Sequence, residues 1–264
     1  MSTPRLVATD LDGTLLRSDG TVSVRTRAAV EALEERGVPV VFVTARPLRW
    51  MDDFWPMVGD HGLAVVSNGG IVFDVAGHRV RELHGIDPAD GLLLAEAIYR
   101  HVPGASIAIE TVDGIRCDPA YDDAAHPVPA GTPTGPLEDV WTDPAAKVLV
   151  RNDAMEPAAF RDAVFAAAGH LAEVTWTMDG LVEINAPGVT KGSALVGICG
   201  SLDVLAADVI AFGDMPNDVP MLAWAGRSYA MGNAHPDVVA TAGDRAPRND
   251  EDGVAAVLER VFGL

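Results

Sequence analysis

Short apolar runs separated by helical patterns mark both ends of the chain. Leu6–Thr9 (LVAT) is apolar and stops at a polar loop, which predicts a buried strand. Ser23 then caps a helical pattern carrying Val24, Ala28 and Leu33, and Gly37 ends it. Residues 39–43 (PVVFV) and 63–66 (LAVV) predict two more buried strands. Residues 209–212 (VIAF) predict a fourth, followed by a helix and a strand at 228–231. Strands separated by helices imply βαβ units and a parallel sheet.

The middle reads differently. Asp87 as cap and Pro88 at the first helical position open a helix to His101. Residues 106–110 are strand-like, Asp113-Gly114 is a turn, and 117–146 read as a long irregular loop. Lys147–Arg151 predicts a strand and Pro157–Ala168 a helix. Residues 174–177 and 181–185 predict a hairpin around Asp179-Gly180. This is an α+β pattern. It predicts a domain at 84–186 inserted into an α/β domain made of 1–83 and 187–264.

Composition narrows the function classes. The 264 residues are 48% hydrophobic, enough for a sizeable core. A net charge of −19 with no basic cluster argues against nucleic acid and anionic membrane as partners. Cys117 and Cys199 are too few for a disulfide framework. No secretory pattern opens the sequence, and no apolar run reaches the ~18 residues of a membrane span. The expectation is a cytoplasmic protein, monomer or homodimer.

Four segments carry candidate chemistry. Asp10 and Asp12, in Asp10-Leu11-Asp12-Gly13-Thr14-Leu15, follow a strand, where open parallel sheets bind ligands. One carboxylate can attack phosphorus and a second can act as general acid and base. An acidic capping loop is the plainer alternative. Thr44, before Ala45 and Arg46, offers a hydroxyl to a phosphoryl oxygen, or else caps a helix. Lys191, in GVTKG, can hold a phosphate, or else is a solvated lysine in a first helical turn, where the helix dipole disfavours a cation. Asp214, Asn217 and Asp218, in GDMPND, bring oxygen ligands suited to Mg²⁺, or else form an Asx turn with a cap. Together they supply what phosphoryl transfer needs: charge neutralisation and positioning.

The stretches LVATDLDGTLL, VFVTAR, SNGG, EINAPGVTKGSAL, AFGDMPNDVPML, MGNAHPDV and NDEDGVAAVL resemble, in order and spacing, the haloacid dehalogenase superfamily. More narrowly, they resemble its Cof-type phosphatases with a type IIB cap. The resemblance implies a Rossmann-like core, an α+β cap over the carboxyl edge of its sheet, and hydrolysis of small phosphorylated metabolites such as sugar phosphates. It implies Asp10 as nucleophile and metal ligand, and Asp12 as acid and base with its carbonyl on Mg²⁺. Asp214 becomes the third protein ligand. Thr44, Lys191 and Asn217 bind the phosphoryl group, Asp218 supports the metal waters or Lys191, and Arg46, Asn68 and Gly69 line the cleft. Ala45, where relatives often have Gly, is expected to tighten its loop. A sugar phosphomutase and a non-catalytic binding protein are the competing readings.

Other polar residues give weaker signals. The seven histidines have no ligand-like spacing. Asp118, Asp122, Asp123 and His126 are expected on a solvated loop face, with contact to substrate as the alternative. Glu183 is expected to face solvent or substrate. Trp141 and Trp176 are expected to pack or to stack on a sugar ring.

Overall fold

The computed structural model describes residues 3–58, 62–124 and 126–264; His61 lies outside them. By their internal contacts the residues divide into two units. One holds the chain up to Arg46, Trp50–Glu82 and Thr190–Leu264; the other holds Pro47–Arg49 and Leu83–Val189.

The apolar runs form the middle of an eight-stranded sheet. Its N-terminal strands are β1 (Leu6–Thr9), β2 (Val40–Val43), β3 (Leu63–Val66), β4 (Ile71–Asp74) and β5 (Arg79–Leu83). The second unit contributes β6 (Ser106–Thr111), β7 (Gly114–Cys117), β8 (Lys147–Arg151), β9 (Glu173–Met178) and β10 (Leu181–Asn185) to a sheet of its own. The chain then returns with β11 (Val209–Gly213), β12 (Arg227–Ala230) and β13 (Asp244–Arg245).

The first sheet runs β13-β12-β11-β1-β2-β3-β4-β5. Pairs from β13 to β3 are parallel, and β4 turns back antiparallel to β3. β1, β2, β3 and β11 bury every residue, as a sheet covered on both faces requires. Helices α1 (Val24–Glu35), α2 (Pro88–His101), α3 (Leu137–Val140), α4 (Pro157–Ala168), α5 (Lys191–Ser201), α6 (Val219–Trp224), α7 (Pro236–Thr241) and α8 (Gly253–Phe262) complete the chain. On one face, Leu6, Ala8, Val41 and Val65 pack against Leu195 and Ile198 of α5, Met221 of α6 and Val238 of α7. α1 packs against α8, whose Arg260 lies over the Tyr229 ring. Ser23 caps α1 by accepting from the Thr26 N–H.

The second sheet is antiparallel, in the order β7-β6-β8-β10-β9. One face buries Ile107, Ile109, Val148, Val150, Val182 and Ile184 against Leu94 and Ile98 of α2 and Phe160 and Val164 of α4. Trp141 belongs to this core. A Cβ on Gly91 would lie 2.1 Å from its ring, so only glycine lets α2 approach. Trp176 instead lies beneath the Arg161 guanidinium, 5.2 Å from its ring centroid.

The segment after β7 is less irregular than its composition predicts. Cys117 bridges to Thr134, α3 forms a short turn, and Ala145 pairs with Ile86. Two expected solvated acids are buried. Asp118 accepts from the Tyr99 hydroxyl and the Ile107 N–H, each at 2.6 Å, and Asp123 lies 3.0 Å from Arg151. Asp122 is exposed. A buried carboxylate needs such partners, and local spacing does not reveal them. Glu183 does not face solvent: it is buried and paired with Lys147, with Thr177 donating to its other oxygen. Among the described residues no helix is long and apolar enough to cross a membrane.

Candidate active site

The parallel ladder sets the site. Thr9 lies level with Phe212 of β11 and Phe42 of β2, so the loops after these three strands leave the sheet at one edge. The Asp10 N–H still pairs with the Phe212 carbonyl; the chain then leaves the pleat, closing a tight turn with Leu16 N–H on Leu11 O at 2.8 Å. Gly13 takes φ 73° inside that turn. A Cβ there would lie 2.2 Å from Asp214 Oδ2, so glycine is required for space as well as for backbone.

Lys191 is the first residue of α5, held in place by a capping box between Thr190 and Ser193. Its ammonium is 1% exposed and donates to Asp10 Oδ1 and Asp218 Oδ1, each at 2.7 Å. These anions offset the helix dipole that disfavours a cation at a helix start. Burial pulls the Lys191 pKa down, but the two carboxylates outweigh it and the ammonium is held above its ordinary value. Asp218 uses its second oxygen to accept from the Asp214 and Met215 N–H groups at 2.9 and 3.1 Å. It therefore closes the turn after β11 and anchors the lysine at once.

Carboxylate oxygens of Asp10, Asp214 and Asp218 lie within 4.8 Å of one another. Three carboxylates beside one ammonium leave two negative charges uncompensated. Burial accordingly pushes the Asp10 carboxyl well above the usual range, with Asp218 and Asp214 adding to the shift and Lys191 opposing it. Burial, aided by Asp218, pushes Asp214 up to about 7 against the Thr14 hydrogen bond. Close buried oxygens with excess negative charge fit a hard divalent cation. Asp10 and Asp214 are the acids left to hold it, since both oxygens of Asp218 are engaged.

The other predicted residues fall into two groups at the same edge. At Asp12, Arg46 donates to both carboxylate oxygens at 2.7 and 2.6 Å while its guanidinium lies over the Phe54 ring. That bond raises the guanidinium pKa further. Thr44 is buried and its Oγ1 accepts from the Arg46 N–H at 3.0 Å, so the hydroxyl does cap the turn. Ala45 follows, half-buried. Asn217 Nδ2 donates to Asn68 Oδ1 at 3.0 Å, and Gly69 packs against the Thr190 carbonyl.

Two further residues shape the site. Thr14 Oγ1 donates to Asp214 at 2.9 Å, and Asn233 Nδ2 donates to the Gly13 carbonyl at 2.8 Å. Both act over some 200 residues of sequence, a separation that no local spacing exposes.

The sequence profile of haloacid dehalogenase-like hydrolases matches residues 7–258. The chain belongs to that family. A HAD relative from Bacillus subtilis, named 5-amino-6-(5-phospho-D-ribitylamino)uracil phosphatase YitU, is 28% identical over 99% of this chain and 98% of its own length. An HMP-PP phosphatase from Yersinia enterocolitica is 31% identical over 89% of this chain and 86% of its own. The fold is shared with SMU.1108c from Streptococcus mutans (TM-score 0.85, 23% identity, 99% and 100% of the two chains). It is shared too with the HAD subclass IIB sugar phosphatase BT4131 (TM-score 0.81, 21% identity, 98% and 99%). The parallel sheet with its inserted α+β unit is thus the HAD core with a subclass IIB cap.

Proposed function

We propose that this HAD-type phosphatase hydrolyses small phosphorylated metabolites with Mg²⁺, through a covalent aspartyl-phosphate on Asp10. The observation that carries the reading is the buried Lys191 ammonium shared between Asp10 and Asp218, within reach of Asp214. Structural acids do not need a common lysine and an uncompensated negative charge at the ligand edge of a parallel sheet.

In this reading an Asp10 oxygen forms a bond to phosphorus as the bond to the leaving oxygen breaks, and Asp12 gives that oxygen its proton. A water then loses a proton to Asp12 and attacks phosphorus, the Asp10–phosphorus bond breaks, and inorganic phosphate leaves. Lys191 holds phosphoryl oxygens, with Thr44 and Asn217 as neutral partners, and Arg46 positions Asp12. Bound at Asp10, Asp214 and the Asp12 carbonyl, Mg²⁺ would neutralise charge that grows on the phosphoryl oxygens. The Bacillus relative's name supports a substrate whose phosphate is carried on a sugar-alcohol chain.

A panel of phosphorylated metabolites assayed with Mg²⁺ tests the reading. Phosphate release in step with substrate loss, abolished in Asp10→Asn, is expected. Unchanged release by that variant would refute Asp10, and isomer formation without free phosphate would identify a mutase instead.

A further inference from the structure

The turn after β3 runs against backbone preference. Ser67 and Asn68 both adopt left-handed conformations, with φ of 52° and 57°, and Gly69 follows at 106°. Such a position costs of order 1–2 kcal/mol at Ser67, whereas asparagine adopts it more readily, and the turn persists where the surroundings hold it. Here the Ser67 N–H donates to the Arg46 carbonyl at 2.9 Å and the Asn68 N–H to the Thr44 carbonyl at 3.0 Å. On the other side, a Cβ on Gly69 would lie 2.4 Å from the Thr190 carbonyl. The turn is pinned between the Thr44–Arg46 loop and the residue that caps α5 just before Lys191.

Its central side chain is incompletely bonded. Asn68 is 2% exposed. Its Oδ1 accepts from Asn217, but among the described residues its Nδ2 has no partner, and neither has Asn217 Oδ1. A buried donor left without an acceptor costs about 1–3 kcal/mol. A pinned turn that holds a buried, unpartnered amide points to an acceptor that arrives with a ligand.

We propose that Asn68 Nδ2 donates directly to a phosphoryl oxygen of the substrate, so that Asn68 and Asn217 form a neutral amide pair that holds the phosphate in addition to Lys191. This rests on the phosphatase reading above. The charge distribution favours an amide for the task. A second cation at this edge would be drawn onto the excess carboxylates, whereas an amide donates to phosphate and leaves the Lys191 pairs intact.

Asn68→Gly is the informative variant, because glycine adopts the left-handed backbone without strain and removes only the amide. Inhibition by inorganic phosphate, with kcat and KM on one phosphate ester, is measured for Asn68→Gly alone and combined with Asn217→Ala. Inhibition should weaken about 10–100-fold in both backgrounds, as for a lost hydrogen bond to a charged group. Asn68→Asp, which keeps the acceptor for Asn217 but adds negative charge, should weaken it at least as much. Loss that disappears once Asn217 is removed would mean that Asn68 only orients its neighbour, and would overturn the proposal. So would unchanged inhibition in both Asn68 variants while the parent turns over. A parent chain that releases no phosphate from any ester would overturn the phosphatase reading and this inference together.

Discussion

The Lys191 ammonium lies 2.7 Å from the Asp10 carboxylate, and both are buried. Asp218 shares the same ammonium. Removing one partner of a buried ion pair leaves its counter-charges stranded, typically at a cost of about 3–5 kcal/mol. Lys191→Met should therefore lower stability by about that amount at neutral pH in a urea titration, and abolish turnover. The loss should shrink in acid as the stranded carboxyls protonate. Equal destabilisation at both pH values would count against the pairing.

Asp214 gives a pH signature. Its carboxyl is raised from 3.8 to about 7 in the folded chain. A raised pKa favours the protonated form, so this group supports the metal-free fold below about pH 4 and withdraws that support as pH rises through about 7. A bound cation reverses the sign, because it requires the ionised carboxylate. The rise in melting temperature on adding Mg²⁺ should be small near pH 5 and should increase through about pH 7. A Mg²⁺ effect independent of pH would contradict this.

Gly13 tests the crowding around Asp214. Gly13→Ala adds roughly 1–2 kcal/mol of left-handed strain and drives a methyl into Asp214 Oδ2. Activity and Mg²⁺ affinity should both fall by at least tenfold. Parent-like Mg²⁺ affinity would show that Asp214 does not need the space that glycine leaves.

Within the cap, Lys147 and Glu183 form a buried pair on the sheet face away from α2 and α4. Lys147→Met alone should destabilise by about 3–5 kcal/mol, and adding Glu183→Leu should restore most of the loss, since an apolar pair of similar volume often replaces a buried ion pair. Additive losses in the double variant would argue that each residue has independent partners.

The legible parts of the chain were those written locally. Buried parallel strands are apolar throughout, so β1, β2, β3 and β11 stand out, and the acids that follow them mark the ligand edge. Ser23 and the Asp179-Gly180 hairpin are local signals too. β5 did not stand out, because its sequence RVREL is that of an exposed, charged edge. The burial of Asp118 and Asp123 is not legible locally, because their partners, Tyr99 and Arg151, are distant in sequence. The same holds for Thr14 with Asp214, for Asn233 with Gly13, and for the pairing of Arg46 with Asp12. Local sequence marks which groups are present; tertiary hydrogen bonds decide what each one faces.

Acid-quenching the enzyme during turnover, reducing it with borohydride and mapping its peptides by mass spectrometry tests the nucleophile most directly. An acyl phosphate on Asp10 is reduced to homoserine, so the peptide spanning Leu6–Thr9 and Asp10 should carry that change only when substrate is present. Rapid hydrolysis with an unmodified Asp10, or with the change at another acid, would contradict the account.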